Sequence, residues 1–393
     1  MIVTPLALDT ARAVREALRG HDWDAGQADT TATGIHPLAF HATGLDAGAI
    51  EALVPLAGRL GLEVVTGPDW ALLTGSRSRL STFARPWMVP PAVSELAMQV
   101  GLAMPTEPPA LWRTARGAVP LDGPVVVGIL NVTPDSFSDG GRHIGLEAAL
   151  AHAERMLEDG AAMLDVGGQS TRPGAAQVDA AEETARVVPV IAELAARHPD
   201  LVMSVDTVVA RVARAALAVG AAAVNDVSGL RLDPAMAQAA AEHGAGVVLM
   251  HSRGGFGELA SYTHAEYGDV VREVADELRR AQDAALSAGV LEEAVALDPG
   301  FGFGKTVEQN LRLADRLSAL TALGRPLLVG PSRKRFLGAV SGIERPEARD
   351  TVTAAFCALA WERGARLFRV HDVAGAREAL ALAQGLSTTR PHR

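Results

Sequence analysis

The chain has 393 residues, which is too long for one ordinary core, and its 48% hydrophobic and 21% charged residues are typical of a folded globular protein. Its net charge of −10 argues against broad electrostatic binding to nucleic acid or to an anionic membrane, although a few local cations could hold a small anionic substrate. Cys357 is the only cysteine, which excludes an intrachain disulfide framework and a cysteine-rich zinc site.

The first 120 residues have a pattern of their own. A strand-like "HPLAFHATG", a helical "DAGAIEALVPLAGRLG" and two strand candidates, "LEVVTG" and "WALLTGS", predict a small α+β domain over residues 1–120. Within these 120 residues, the proline-rich "PWMVPP" and "PTEPP" predict the linker that follows the small domain. This region carries no chemical motif, so regulation, oligomerisation and partner binding all stay open as its role.

The opening residues and the lengths of the apolar runs indicate where in the cell the protein is expected. The opening residues lack the basic region of a signal peptide, and no apolar run approaches the roughly 18 to 20 residues of a membrane span. We therefore expect a cytoplasmic protein.

Residues 121–393 repeat a single pattern, in which short apolar runs alternate with longer segments of helical spacing. The runs are "VVVGILNV", "MLDVGGQ", "LVMSVD", "AAVNDV", "GVVLMH", "AVALDPG", "PLLVGPS" and "RLFRVHD". Continuous apolar strands separated by helices predict a parallel sheet covered on both faces. Eight such units in roughly 260 residues match a (β/α)₈ barrel, and their regularity disfavours the alternative of a doubly wound open sheet.

Polar residues gather where the predicted strands end. They are Asn131, Asp165, Asp206, Asn225, Asp226, His251, Asp298, Ser332, Arg369 and His371. In a barrel these ends share one rim, where active sites are built. One such residue could be a helix cap, as Asp206 before Thr207 could, but capping does not explain the whole set.

Two of these strand ends carry cations. "GPSRKRFLG" places Arg333, Lys334 and Arg335 directly after a strand, which fits either a solvated charge run or a site for an anion or a ring heteroatom. In "FRVHD", Arg369 and His371 lie two positions apart, so both face the same side of a strand. A guanidinium and an imidazole that converge in this way suit a phosphate or pyrophosphate.

Other motifs exclude common chemistries. "GFGFGKT" fails the phosphate-loop spacing, because Pro299 stands where the first glycine is needed, and its glycines instead predict tight turns beside Asp298. The sequence has neither His-Glu-x-x-His nor Gly-x-Ser-x-Gly, so a zinc hydrolase and a serine hydrolase are disfavoured.

Taken together, these motifs resemble those of the dihydropteroate synthases. The stretches that carry the resemblance, in the family's order, are "GILNVTPDSFSDGG", "LDVGGQSTRPGA", "SVDT", "VNDVSG", "LDPGFGFGK", "GPSRKRFLG" and "RVHDV". The resemblance covers about residues 123–385. It implies a (β/α)₈ barrel, a homodimer, and the Mg²⁺-dependent condensation of 6-hydroxymethyl-7,8-dihydropterin pyrophosphate with 4-aminobenzoate.

The resemblance also implies the roles of individual residues. Those expected to bind the pterin are Asp206, Asn225, Met250, Asp298, Phe303, Lys334 and Arg369. Those expected to bind the pyrophosphate are Asn131, Arg172, Arg369 and His371, with Asn131 also the Mg²⁺ ligand. Those expected on the aminobenzoate side are Thr171, Arg172, Pro173, Phe303 and Ser332. The catalytic residues would be Asp206, Lys334, Arg369, His371 and Thr171.

Two stretches depart from the family pattern, and two other functions stay open. Gln169 stands where the family often has Glu, and "LMHSRGGFGELASY" differs from the usual Met-Gln-Gly stretch. A methyltetrahydrofolate-dependent methyltransferase would share the pterin acids but would not need a pyrophosphate site. A catalytically silent pterin-binding homologue is the third possibility. Within the first motif, Asp135, Ser136 and Asp139 would either touch ligand or only shape the loop.

Overall fold

The computed structural model describes residues 37–85, 88–104, 109–132, 142–169 and 178–389. Several residues singled out in the sequence lie outside these ranges, namely Asp135, Ser136, Asp139, Thr171, Arg172 and Pro173. The chain divides into two compact units, of which the larger is Thr106–Gln384. None of the helices in the described ranges is long and apolar enough to cross a membrane.

The smaller unit is the predicted α+β domain. Its elements are β1 (Pro37–Thr43), α1 (Ala47–Leu60), β2 (Glu63–Thr66), β3 (Trp70–Ser76), α2 (Arg77–Phe83) and α3 (Ser94–Ala103). The three strands form an antiparallel sheet in the order β1-β3-β2. Helix α1 begins at Asp46, whose side chain accepts a hydrogen bond from Ala49 N–H, and ends at Gly61 in the left-handed conformation.

The described part of the first proline-rich segment, residues 88–91, leads straight into a helix of the smaller unit, where a linker was predicted. Pro91–Val93 forms a short 3₁₀ turn that leads directly into α3, a position that suits proline because its missing N–H needs no partner at a helix start. Val93 is fully buried, and Leu96 and Val100 of α3 join the same hydrophobic core. Residues 88–93 therefore continue the smaller unit.

A hairpin of β4 (Leu111–Thr114) and β5 (Gly117–Pro120) belongs to the barrel unit. We expected the N-terminal domain to extend to residue 120, but Trp112 is buried among inward-facing barrel residues such as Val127 and Val248. Its indole N–H donates to Ala294 O at 2.8 Å, just before a barrel strand. The hairpin thus covers the end of the barrel at which the strands begin.

The predicted barrel is confirmed. Its parallel strands are β6 (Val125–Asn131), β7 (Met163–Gly167), β8 (Val202–Asp206), β9 (Ala223–Asp226), β10 (Gly246–Met250), β11 (Val295–Asp298), β12 (Leu327–Val329) and β13 (Ala365–Val370). They pair in chain order, and β13 closes the barrel against β6. The strands are apolar almost throughout because one face fills the interior and the other lies under helices.

Helices alternate with these strands and cover the barrel. They are α4 (Arg142–Glu158), α5 (Ala180–Arg197), α6 (Ala210–Ala218), α7 (Met236–Glu242), α8 (Val270–Ser287), α9 (Val307–Asp315), α10 (Arg335–Ser341), α11 (Asp350–Glu362) and α12 (Val373–Thr389). Cys357 on α11 is fully buried in the hydrophobic core, so it acts as a small apolar side chain.

Strand register explains why polar residues meet at one rim. Asn131 pairs with Gly167, Gly167 with Asp206, and Asp206 with Asn225, so four neighbouring strands present these positions in one row. On the other side of the barrel, Met250 pairs with Asp298.

Candidate active site

An arginine between two aspartates forms the polar centre of the rim. Arg369 Nε lies 2.5 Å from Asp165 Oδ2, and Arg369 Nη2 lies 2.6 Å from Asp206 Oδ2. Asn225 Nδ2 and Ser204 Oγ also donate to Asp165, at 3.0 and 2.5 Å. Asp165 is therefore saturated by protein donors, whereas Asp206 Oδ1 has no protein donor among the described residues.

Asp165 is the residue of this centre that sequence reasoning left out of the site. Its sequence position marks it as a polar strand-end residue, but the resemblance implies no role for it. Its side chain is 1% exposed, compared with 11% for Asp206. Because it lies deeper and is fully hydrogen-bonded, Asp165 fixes Arg369 and Asn225 rather than meeting a ligand itself.

Burial raises the pKa values of the acidic groups of the site. Burial raises the pKa of Asp206 above its ordinary value; Arg369 opposes this shift, and Asp165 adds to it. Asp298 at the end of β11 is also buried, which raises its pKa to about 6, although its Oδ1 accepts Gly300 N–H at 2.7 Å and the charge of Lys334 lowers the pKa. Shifts of this kind are common at functional sites.

Lys334 places a cation beside these acids. Its Nζ lies 3.6 Å from the centroid of the Phe303 ring. Desolvation and the charge of Arg369 lower its pKa to about 7, and the carboxylates of Asp298 and Asp206 oppose the shift. The ammonium group is therefore held by electrostatics among the buried acids of the rim.

The other two cations of "SRKR" do not share this position. Arg333 makes a bidentate pair with Asp350, with Nε–Oδ1 at 2.8 Å and Nη2–Oδ2 at 2.7 Å. Arg335 donates to Ala260 O at 2.5 Å. Arg333 has a positive φ of 59°, which turns consecutive side chains in different directions and leaves only Lys334 among the acids.

Ser332 and His371 form a second polar pair at the rim. Ser332 Oγ lies 2.8 Å from His371 Nδ1 and accepts the His371 backbone N–H at 3.1 Å. These contacts join the ends of β12 and β13 and fix the imidazole near Arg369, which lies two residues earlier on β13.

Asn131 and Asp206 lie on either side of Gly167. A Cβ atom at Gly167 would come within 3.8 Å of Asn131 Oδ1 and 3.7 Å of Asp206 Oδ2. The two oxygens therefore border a position that carries no side chain, where a ligand can approach the backbone.

Apolar residues form one wall of the site. Met250 and Phe303 are buried together with Val208, Val227 and Leu259 in a separate hydrophobic cluster at the rim. Pockets for flat heterocycles combine such a wall with a few placed polar groups, and this rim provides both.

The structure therefore brings together most of the predicted site residues that it describes. Asp206, Asn225, Asp298, Lys334 and Arg369 are linked by hydrogen bonds, ion pairs or charge interactions. The expected roles of Thr171, Arg172 and Pro173 lie outside the described residues.

Comparison with known proteins identifies relatives of the barrel. The family model described as "Pterin binding enzyme" matches residues 127–371. The dihydropteroate synthase of Mycobacterium leprae is 48% identical over 260 residues, which are 65% of this chain and 90% of that protein. That of Bacillus subtilis is 44% identical over 249 residues, 63% of this chain and 84% of that protein.

Solved structures of dihydropteroate synthases are also similar to this chain. A Xanthomonas albilineans dihydropteroate synthase with 4-aminobenzoic acid is 46% identical, with a TM-score of 0.66, and the match covers 71% of this chain and 98% of that one. The same organism's enzyme in complex with 7,8-dihydropteroate is 45% identical, with a TM-score of 0.62, over 69% of this chain and 96% of that one.

Proposed function

The chain belongs to the dihydropteroate synthase family of pterin-binding enzymes, and from that premise we propose the reaction that its barrel catalyses. It transfers the methylene carbon of 6-hydroxymethyl-7,8-dihydropterin pyrophosphate to the amine of 4-aminobenzoate. The carbon–oxygen bond breaks, a carbon–nitrogen bond forms, and pyrophosphate and a proton leave. The observation that carries this proposal is the cluster of Asp206, Arg369, Lys334 and Asp298 at one rim.

The pterin binds between this cluster and the apolar wall. The carboxylates of Asp206 and Asp298 accept hydrogen bonds from the N–H groups of the guanidine-like pterin edge, and Asn225 can both donate and accept. Lys334 donates to a ring acceptor. Arg369 is held in one plane by its two carboxylates, so it offers the ring a flat face on which to stack. Met250 and Phe303 pack against the remaining surface.

Arg369 and His371 also bind the pyrophosphate, together with Asn131 and Arg172. Charge builds on the leaving oxygens as the carbon–oxygen bond lengthens, and a prearranged guanidinium and imidazole stabilise that charge. The contact of Ser332 with His371 supports this role, because it fixes the ring before substrate arrives.

Mg²⁺ fits the donors of the rim. Mg²⁺ prefers oxygen ligands and is often held by one or two protein groups together with substrate phosphates. Asn131 Oδ1, at the end of β6 and beside Gly167, is such an oxygen. In the described ranges, no group of three acidic, histidine or cysteine side chains could hold a metal by itself. When bound, the ion would neutralise pyrophosphate charge.

The aminobenzoate side consists of Phe303 and Ser332 together with Thr171, Arg172 and Pro173. The aromatic amine is uncharged at neutral pH, so it attacks the methylene carbon without a strong base. Exclusion of water matters more, because water would compete for the same carbon. The buried apolar cluster around Met250 and Phe303 supports such exclusion.

The proposal includes a homodimer and a cytoplasmic location. Helices α10, α11 and α12 expose large apolar side chains, and a self-complementary interface between two copies would cover them. These side chains are Val340, Leu359 and Leu382.

The direct test is pyrophosphate release by the purified chain with both substrates and Mg²⁺. We expect release that depends on 4-aminobenzoate. A methyltransferase would bind the pterin without releasing pyrophosphate, and a silent homologue would bind it without turnover. Pterin binding with no aminobenzoate-dependent release would therefore overturn the proposal.

A further inference from the structure

Lys305 is a fully buried cation at the rim that has no part in the proposed chemistry. Its Nζ contacts Gly300 O at 3.0 Å, Phe303 O at 3.1 Å and His251 Nδ1 at 2.9 Å. An ammonium group has three N–H donors, and each of these contacts can take one. The lysine of "GFGFGKT" is therefore fully occupied by protein acceptors and does not bind a phosphate.

His251 lies between Lys305 and Glu277 of helix α8. With Lys305 protonated, His251 Nδ1 is the acceptor and the ring proton is on Nε2, which lies 3.1 Å from Glu277 Oε2 without the alignment of a hydrogen bond. Burial and the charge of Lys305 lower the pKa of His251 to about 4, although Glu277 opposes the shift. The neutral imidazole thus lies as a bridge between the buried amine of Lys305, whose pKa burial lowers to about 7, and the carboxylate of Glu277.

Glu277 and Arg253 anchor the far end of this bridge. Glu277 belongs to α8, and its Oε1 accepts from Arg253 Nε at 3.1 Å and Arg253 Nη2 at 2.5 Å. The guanidinium of Arg253 lies 3.9 Å from the centroid of the Tyr267 ring. Arg253 belongs to "LMHSRGGFGELASY", the stretch that departs from the family pattern, so this stretch is bound to α8 through Glu277.

The near end of the bridge holds the turn that follows β11. Lys305 binds the carbonyl of Gly300, whose N–H donates to Asp298 Oδ1. It also binds the carbonyl of Phe303, whose ring lies below the ammonium of Lys334. One buried amine thus connects to an acid of the pocket and, through the Phe303 ring, to its lysine.

We propose that Lys305 and His251 are positioning residues for the pterin pocket: they fix the turn that presents Asp298 and Phe303. The amine sets the spacing of the turn, and His251 Nδ1 holds the amine in place. Neither side chain touches substrate. This inference rests on the proposed function and identifies which residues shape its pterin site.

A matched pair of substitutions tests the bridge. In His251→Asn, the side-chain amide lies where Nδ1 was and keeps the contact with Lys305 while losing Glu277. In His251→Gln, the amide lies where Nε2 was and keeps Glu277 while losing Lys305. Lys305→Met removes all three donors and keeps the length of the side chain. Arg325→Met is the control, because Arg325 is a largely buried cation just before β12, at the opposite end of the barrel.

The readouts are the Kd for 6-hydroxymethylpterin, measured by its fluorescence, the KM values for both substrates, and thermal unfolding. We expect Lys305→Met and His251→Gln to raise both the Kd and the KM for the pterin by about tenfold or more. Lys305→Met removes the donor of the Gly300 and Phe303 carbonyls, and His251→Gln removes the acceptor that holds this donor in place. The KM for 4-aminobenzoate rises less, because Phe303 is the one described residue of that side whose carbonyl Lys305 binds. His251→Asn and Arg325→Met keep the wild-type Kd, whatever they cost in stability.

Wild-type pterin affinity in a folded Lys305→Met protein would overturn the proposal, and so would equal losses in His251→Asn and His251→Gln. Because the Kd is measured without turnover, these results stay separate from the test of the reaction. A wild-type chain that binds the pterin but releases no pyrophosphate would refute the proposed function and leave this inference in place.

Discussion

At the scale of single residues, the site depends on how buried charges are shared. Arg369 bridges Asp165 and Asp206, but only Asp206 keeps an oxygen free of protein donors among the described residues. The sequence identified Asp206, Arg369 and Lys334 because each lies at or just after the end of an apolar strand. It could not separate Lys334 from Arg333 and Arg335, because that separation depends on one positive φ and on the distant partner Asp350.

The first prediction concerns Asp206→Asn. The amide cannot pair with Arg369 as an anion and offers one acceptor instead of two, so both pterin recognition and the orientation of Arg369 suffer. We expect kcat/KM to fall by about two orders of magnitude or more. The measurement is steady-state kinetics, with circular dichroism as the check on folding. Full turnover in this variant would refute the assignment of Asp206.

The second prediction concerns the pH dependence of kcat/KM. Asp206, whose pKa burial raises to about 7, and Asp298, with a pKa of about 6, must be ionised to accept from the pterin, so activity is lost as the pH falls through these values. Lys334, with a pKa lowered to about 7, must be protonated to donate, so activity is lost as the pH rises above it. Lys334→Arg keeps its proton at higher pH and should move the alkaline limb upward. An unmoved alkaline limb would contradict the role of Lys334 and assign that limb to Lys305, whose pKa burial also lowers to about 7.

At the scale of elements, strand ends were predictable and turn geometry was not. Apolar runs located the strands, since each strand is covered on both faces. The hydrogen bonds of Lys305 could not be predicted from the sequence, because two of its acceptors are backbone carbonyls and the third, His251, lies 54 residues away. The proline-rich segment before α3 is ambiguous in the sequence for a similar reason, since proline is common both in linkers and at the start of a helix.

The third prediction compares two glycines in the left-handed region. Gly300 has φ of 69°, and a Cβ there would lie 2.0 Å from His251 O, whereas Gly342 has φ of 73° and an added Cβ meets nothing within 4 Å. Gly342→Ala should cost about 1 to 2 kcal/mol of unfolding free energy, the cost of the backbone conformation alone. Gly300→Ala should cost more and should also weaken pterin binding. Urea unfolding and the pterin Kd measure both effects, and equal behaviour of the two variants would contradict the tight packing of this turn.

At the scale of the whole molecule, the division into two units was foreseen from composition and pattern, but the place of the β4–β5 hairpin was not. Residues 111–120 are two short strands that nothing in their sequence assigns to either neighbour. Their assignment comes from Trp112, which fills space among the inward-facing barrel residues and bonds to Ala294 O.

The fourth prediction uses two truncated chains. One that begins at residue 106 keeps the hairpin and should fold and turn over substrate like the full chain. One that begins at residue 121 lacks Trp112 and should lose at least the roughly 3 to 5 kcal/mol that removal of a large buried aromatic costs. Thermal unfolding and turnover of both proteins provide the check. A stable, active chain that begins at residue 121 would show that the hairpin is dispensable.

The most direct test of the central claim is the stoichiometry of the reaction. The full chain is incubated with 6-hydroxymethyl-7,8-dihydropterin pyrophosphate, 4-aminobenzoate and Mg²⁺, and both 7,8-dihydropteroate and pyrophosphate are quantified. We predict equal amounts of the two products, formed only when 4-aminobenzoate is present, and greatly reduced in Asp206→Asn. Pyrophosphate release at the same rate without 4-aminobenzoate, or no dihydropteroate from a chain that binds the pterin, would contradict the account.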